Sequence, residues 1–450
     1  MNLFQKYICI AATCLVVRSC KGQVAPTQAD KSIYHARVQK NLPDSALLEL
    51  VQKQTFRYFW DFADPVSGLA RERSNNGYDY GLETITIGGT GFGVMAIIVA
   101  ANRKWINRDT AAGRLLKMVK FLGKANSYHG IFPHWMDGET GRTLPFSRKD
   151  DGADIVETSY LFQGLLCARE YFNDTSAKER SLRNRINWLW NEAEWDWHTQ
   201  GKDELFWHWS PNNGWAMNFS IHGWNECLIT YVMAASSPRH SISASVYHNG
   251  WATGKDFKNG KVYYGLKLPL GFEYGGPLFF SQYSFLGIDP RGLKDQYADY
   301  WEQNQNHSLI NYKYCVDNPK EYKGYGENCW GLTSSDSYTG YSGHSPTNDL
   351  GVVSPTAALS SFPYTPKESM KALRHFYDDL GNKIWGQLGF VDAFCETKNW
   401  YAQSYLAIDQ GPIIVMIENY RTGLLWKLFM NCPEIQTGLK KLGFESPYLK

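Results

Sequence analysis

Several signatures are missing from this 450-residue sequence, and each absence removes a class of chemistry. It has no CxxC pair and no Cys/His cluster at metal-ligand spacing, so a zinc site is not expected. Neither a Ser-nucleophile elbow nor a phosphate-binding loop occurs. GGTGFG at 88–93 matches a dinucleotide fingerprint loosely, but no strand is expected before it and no ribose-binding acid follows; close helix packing explains these glycines better. An excess of one charge is missing too. The net charge is +2 with acids and bases evenly spread, which points away from a nucleic-acid surface or a basic membrane stripe. Cysteine is sparse. Of nine, six lie in the main body: Cys167, Cys227, Cys315, Cys329, Cys395 and Cys432. Cys167 and Cys227 sit in apolar helical runs and read as small buried hydrophobes. A Cys315–Cys329 bridge is compatible with an oxidising compartment, although a core this size does not require one.

The N-terminus carries an export pattern. Lys6 is followed by YICIAATCLVV, an apolar run too short to span a bilayer. Val17 and Ser19 ahead of Cys20 resemble a bacterial lipoprotein cleavage box, which Arg18 fits poorly. The expected organisation is a signal peptide over 1–19, a flexible tether over 20–43 and one domain over 44–450, since no Pro- or Ser-rich linker divides the rest. The chain is then exported, either periplasmic or held to the bacterial envelope by a lipid at Cys20, and otherwise monomeric.

Aromatic residues are abundant: 17 Trp, 28 Tyr and 23 Phe. Most must form core, but broad aromatic faces are also what the C–H-rich faces of sugar rings stack on. From residue 45 the dominant pattern is helical, with Ser45 placed to cap the first run, 45–61. Runs apolar all round (88–105, 154–172, 221–235) alternate with amphipathic runs (109–125, 177–196, 290–310), and further helical runs follow at 355–362, 367–380 and 412–430. Such alternation predicts an all-α double ring, inner helices buried on both sides and outer helices on one. Two stretches break it: 241–280, read as short strands and loops, and the long Gly/Ser/Tyr-rich loop 311–353.

The stretch WHWSPNNGWAMNFSIHGWNECLITY (207–231) leads four Trp and two His to one carboxylate, Glu226. A lone Glu on a helix apolar on both sides is costly unless protonated, paired or facing a wet cavity. It reads either as a general acid with a raised pKa or as a buried Glu bonded to His222. Other acids stand among aromatics. Asp150, Asp154 and Glu157 lie in KDDGADIVETSY, where the last two also suit a helix cap. HGIFPHWMDGETG offers His129, His134, Trp135 and Asp137 for sugar hydroxyls. Asp392 and Asp409 lie near the C-terminus, with Asp409 alternatively a cap; Glu418 and Arg421 suit an intrahelical pair, and Asp336 an Asx-turn. Glycosidic cleavage needs two carboxyl functions, one to protonate the leaving oxygen and one to activate water or attack the sugar.

With these residues in view, the chain resembles the glycoamylase-like family, and within it the family 144 glycoside hydrolases. The matching motifs include TFRYFWDFADPVSGLARERS (55–74), TIGGTGFGVMA (86–96), GIFPHWMDGETG (130–141), ADIVETSYLFQGLL (153–166), GWNECLITYVMAASSP (223–238), NDLGVVSPTAALSSFPYTP (348–366) and AIDQGPIIVMIENYRTGLLWKLFM (407–430). The resemblance implies an (α/α)6 toroid acting on β-1,2-linked glucan with inversion, releasing sophorose or short oligosaccharides, with no cofactor and no metal. It implies Glu226 as general acid and Asp409 as the group that activates water, directly or through a substrate hydroxyl, with Asp392 in reserve. Asp150 and Asp154 match acids needed for activity or subsite binding. The expected catalytic set is therefore Glu226, Asp409 and Asp154. Substrate binding is expected from Asp150, His134, Trp135, Trp207, Trp209, His222, Trp224, Asp336, Tyr341 and Asp392. Exo action from the non-reducing end is the expectation, with endo action and a non-catalytic glycan-binding lipoprotein as alternatives. A lyase would need cations to neutralise a uronate, whereas the cleft motifs favour Asp, Glu, Trp and His over Arg and Lys; an α-glucan hydrolase stays open at the level of fold.

Overall fold

The structure, a computed structural model, describes residues 31–75 and 80–450. The expected signal peptide, Cys20 and the first part of the expected tether lie outside them. The main helices are α1 (Asp44–Trp60), α2 (Ile87–Asn102), α3 (Arg108–Leu122), α4 (Ile155–Tyr171), α5 (Ala177–Glu192), α6 (Leu228–Ser236), α7 (Tyr300–Asp317), α8 (Pro355–Leu359), α9 (Pro366–Arg374), α10 (Ala407–Thr422), α11 (Leu424–Met430) and α12 (Pro433–Lys441).

Residues with no polar face have to be surrounded, and α2 and α4 are. Every residue of α2 from Ile87 to Ala101 is buried, as is α4 from Ile155 to Ala168. Together with α6, the 3-10 turns at Leu278–Ser281 and Ser284–Leu286, α8 and α10, they form the inner ring. α2 packs between α4 and α10, α6 follows α4, and α8 packs on α10. Gln282 closes the circle by donating to Ala357 O at 3.0 Å. The outer helices bury one stripe only. In α3 this is Ala111, Ala112, Leu115, Met118, Val119 and Leu122, at helical spacing. The result is the (α/α)6 toroid.

The glycines of GGTGFG serve helix packing. A Cβ at Gly91 would stand 2.0 Å from Tyr160 O, and one at Gly164 would stand 2.2 Å from Gly91 O, so α2 and α4 touch backbone to backbone. A strand does precede the motif, contrary to expectation. β1 (Thr84–Thr86) pairs antiparallel with β2 (Trp135–Asp137), which pairs with β3 (Thr143–Leu144). A second pairing, β4 (Ala153–Asp154) with β5 (His208–Trp209), sets Asp154 opposite His208.

Local capping chemistry moves several boundaries. α6 begins at Leu228, not Ile221; Gly223, at φ +82°, and the turn after it interrupt the run, which leaves Glu226 just ahead of the helix. α7 starts ten residues later than expected because Asp299 caps it, accepting from the Trp301 and Glu302 N–H groups at 3.0 and 3.1 Å. Ser45 lies inside α1 and does not cap it. Glu418 and Arg421 do not pair with each other: Glu418 takes Arg103 at 2.6 Å, and Arg421 takes Glu49 at 2.8 Å. The tether expected over 20–43 is docked from residue 33 on. Ala36 N–H reaches Trp385 O, Gln39 N–H reaches the Tyr377 hydroxyl, and Tyr34 stacks on Tyr405.

Because the Gly91 contact is with backbone, nothing can swing aside. Gly91→Ala should lower stability by about 3 kcal/mol, read as a lower denaturant midpoint at unchanged slope. A neutral result would mean that α2 and α4 are farther apart than described.

Candidate active site

Two groups of acids gather at one end of the inner ring. The first is built on the start of α4. Asp154 is its N-cap: Oδ1 accepts from the Val156 and Glu157 N–H groups at 3.0 and 2.9 Å and from Trp207 Nε1–H at 2.9 Å. Its Oδ2 takes His134 Nδ1 at 2.8 Å. Burial opposes ionisation of Asp154, but the bond from His134 and the fields of His208 and His134 outweigh it and hold the pKa below the ordinary value. Asp150 lies beside it, 3.2 Å from His208 Nδ1. Glu157, one turn into α4, accepts from Gly88 N–H at 2.8 Å and Thr86 Oγ1–H at 3.3 Å; burial raises its pKa. His134 is the cation among these acids. Burial works against its charge, yet Glu157, Asp154 and Asp150 together push its pKa to about 10. The His134 ring stacks on Phe146 at 4.0 Å.

Glu226 adjoins this group. It is 9% exposed, and its Oε2 is buried with no hydrogen-bond partner among the described residues. Burial, with further repulsion from Glu157 and Asp154, lifts its pKa to about 7. Its backbone is pinned: Ser284 donates to Glu226 O at 2.6 Å, and Ile229 N–H donates to Ser284 at 3.0 Å.

The second group comes from the loops after α7 and α9 and from α10. Asp409 and Asp392 are both buried and close enough for the charge of each to act on the other. Burial and mutual repulsion raise Asp409 well above the carboxylate range and Asp392 to about 7. Near neutral pH the pair therefore retains a proton, and Asp409 holds it more firmly than Asp392. Asp392 Oδ2 accepts from Asp336 N–H at 2.7 Å; Asp336 pairs with Arg73 at 3.1 Å and takes Ser404 Oγ–H at 2.6 Å. Arg73 also bonds Glu72 at 3.0 Å. The Tyr283 phenol connects the two groups: its burial and the nearby Asp409, Tyr341, Glu157 and Glu226 all raise its pKa. Tyr160 stacks edge-on against it at 5.7 Å and donates to Glu226 O.

The expected residues divide accordingly. Glu226, Asp150, Asp154 and His134 come together, as do Asp336, Asp392, Asp409 and Tyr341. Asp154 is fully buried with both oxygens hydrogen-bonded, and in this arrangement it orients His134 and the start of α4. Trp224 is no platform: it is fully buried against Trp251, Phe285 and Tyr300. Trp207 has its indole N–H committed to Asp154, and Trp209 packs on Tyr128 and Trp197. His222 is half-buried against Gly254. Trp135, half-buried between Tyr80 at 4.4 Å and Phe146 at 4.8 Å, is the best-placed aromatic wall. Asp409 is not a cap, and Asp336 is held by an ion pair in place of the Asx-turn. Glu157, His208, Arg73, Glu72, Tyr80, Tyr160 and Tyr283 were not among the expected site residues. His208 and Glu157 stood within motifs already quoted, but only the fold aims them inward.

The site thus offers a carboxyl that keeps its proton near neutrality and a second carboxyl pair with capacity for one more, both beside one tyrosine floor. That combination suits general acid–base catalysis. It also links pH to stability. An acid whose folded pKa exceeds its unfolded value favours folding below both values, and that contribution is lost as pH rises toward the folded value. Glu226→Gln should therefore be close to neutral for stability at about pH 4 and stabilising by roughly 3 kcal/mol at about pH 8. Thermal melts at both pH values check this; an equal effect at both would contradict burial as the cause.

The family model "Glycoamylase", described as "Putative glucoamylase", matches residues 218–433. An exo beta-1,2-glucooligosaccharide sophorohydrolase (non-reducing end) of Parabacteroides distasonis is 46% identical over 423 residues, covering 89% of this chain. The chain spans 58% of that curated relative's length. Among solved structures, an endo-beta-1,2-glucanase from Chitinophaga pinensis, in complex with sophorotriose and glucose, is 56% identical with a TM-score of 0.89, covering 91% of this chain and 100% of its own. A beta-1,2-glucanase from Parabacteroides distasonis is 45% identical with a TM-score of 0.87, covering 90% of this chain and 60% of its own. A likeness this deep over nine-tenths of the chain places it in the glycoamylase-like family, among the family 144 glycoside hydrolases.

Proposed function

We propose that this protein hydrolyses β-1,2-glucosidic linkages in β-1,2-glucan and its oligosaccharides, with inversion. Glu226 protonates the leaving oxygen, and the ionised member of the Asp392–Asp409 pair takes a proton from the attacking water, directly or through a sugar hydroxyl. The observation that carries this reading is the buried Glu226, whose Oε2 has no hydrogen-bond partner among the described residues, beside the same tyrosine as the adjoining buried Asp392 and Asp409. In an inverting glycosidase the acid and base stand roughly 6.5–9.5 Å apart, leaving room for one water. The sequence assigned the base to Asp409 alone, with Asp392 in reserve. The action of each charge on the other makes the pair the base, since either carboxyl alone would be changed by losing the other. His134, Asp150 and Asp336 supply charge and hydrogen bonds at the cleft edge, and Trp135 a face for a sugar ring.

For the product, the reading is sophorose removed from the non-reducing end, supported by what the Parabacteroides enzyme does. Endo action is the second reading. It is favoured by the Chitinophaga enzyme, which this chain matches along that protein's whole length. Purified protein incubated with linear β-1,2-glucan should give sophorose alone from the first time points. A ladder of sizes would move it to the endo class, and cleavage of starch in place of β-1,2-glucan would refute the linkage. Glu226→Gln, Asp392→Asn and Asp409→Asn should each lose roughly 10³-fold in kcat. Unchanged glycan binding without any turnover by the wild type would favour the binding-protein alternative.

We also propose that the chain is exported and held to the envelope as a monomer by a lipid at Cys20, on the strength of its N-terminal pattern. Radiolabelled palmitate should enter the wild type and not Cys20→Ala; label in both, or in neither, would contradict the anchor.

A further inference from the structure

Away from the sugar cleft, three side chains from separate parts of the chain converge. Cys329 comes from the loop after α7, His375 from the residue following α9, and Glu396 from the turn after the short strand Phe394–Cys395. One ligand atom from each lies within 4.8 Å of the others. Cys329 is a free thiol, 2% exposed. His375 is oriented like a metal ligand. Its Nδ1 is 2.9 Å from Asp379 Oδ2, whereas Nε2 is buried with no hydrogen-bond partner among the described residues. A carboxylate on one ring nitrogen fixes the tautomer and leaves the other nitrogen as a lone-pair donor, the usual outer support of a zinc-bound histidine. The loop runs against Glu396: Gly324 takes the left-handed φ of +95° that favours glycine, and a Cβ there would stand 2.4 Å from Glu396 Oε1. Reciprocal backbone bonds between Gly326 and Cys329, at 3.1 Å each, hold the thiol in place.

We propose that Cys329, His375 and Glu396 form a zinc site, with Asp379 as the outer partner of His375. One sulfur, one imidazole nitrogen and one carboxylate oxygen are a donor set zinc accepts, and half-exposed Glu396 leaves the fourth position open to water. Binding releases the Cys329 thiol proton to solvent as the Zn–S bond forms. These ligands have no local metal spacing in the sequence and are brought together only by the fold.

Zinc at this point would be a staple. It joins the loop that leads to Asp336 to the hairpin Phe394–Cys395/Trp400–Tyr401 that follows Asp392. Those two acids meet through the 2.7 Å bond from Asp336 N–H to Asp392. The staple would therefore steady the aspartate pair from behind without touching substrate.

The test is zinc stoichiometry on chelator-stripped, mature protein re-equilibrated with zinc chloride, alongside thermal melts with and without the metal. The wild type should take up one zinc ion per chain and melt higher with it. His375→Gln and Glu396→Gln alter partly exposed side chains and should fold, by circular dichroism, while neither binding zinc nor gaining stability from it. Cobalt in place of zinc should show thiolate charge-transfer absorption in the wild type and in none of the variants, Cys329→Ser included. No zinc uptake by the wild type, equal uptake by all the variants, or a Cys315–Cys329 disulfide in the purified chain would each overturn the proposal.

Discussion

Carboxyl groups outnumber cations on the floor of this ring, and much of the site follows from that shortage. Water cannot solvate charge there, so each acid must find a partner or keep its proton. Asp154 finds partners: two backbone N–H groups, an indole and His134. Asp336 has Arg73 and Ser404. Asp409, buried against Asp392, is held protonated by burial and by its neighbour's charge. Glu226 is left with neither cation nor donor on its buried oxygen, and it holds its proton up to about pH 7. Differences in reactivity among chemically similar side chains thus come from how a fixed supply of His134, His208 and Arg73 is distributed.

The toroid makes this distribution possible. Inner helices start at the floor, so their first turns present N–H groups to Asp154 and Glu157, and the glycines of α2 let Glu157 reach Gly88 N–H. The outer helices take up the solvent-facing charge, leaving the inner ring free to be apolar apart from the acids it needs. Positions that hold the acids, such as Ser284 behind Glu226, are as much part of the chemistry as the acids themselves.

Much of this was legible in the sequence. The alternation of all-apolar and amphipathic runs predicts the double ring because burial on one or two sides leaves a direct imprint on periodicity. Glu226 stood out because an isolated acid in an apolar run has few explanations. Boundaries set by one or two residues did not show: Gly223 ends the run before Glu226, and Asp299 delays α7. The tryptophans near Glu226 misled, since Trp224 is core and Trp207 serves Asp154. Composition cannot tell a ring facing a cleft from one facing the core. Nor could it show that Asp392 and Asp409 are one titrating unit, because their meeting depends on contacts far apart in the chain.

The claim at the centre of this account is that burial lifts the Glu226 carboxyl to a pKa of about 7, so that a substantial fraction stays protonated at neutral pH. Carbon-13 NMR of glutamate-labelled protein, with the Glu226→Gln variant to assign the signal, follows that carboxyl directly. The account predicts a chemical-shift titration with a midpoint near pH 7. A midpoint in the ordinary glutamate range, about 4.3, would contradict it and remove Glu226 as the proton donor.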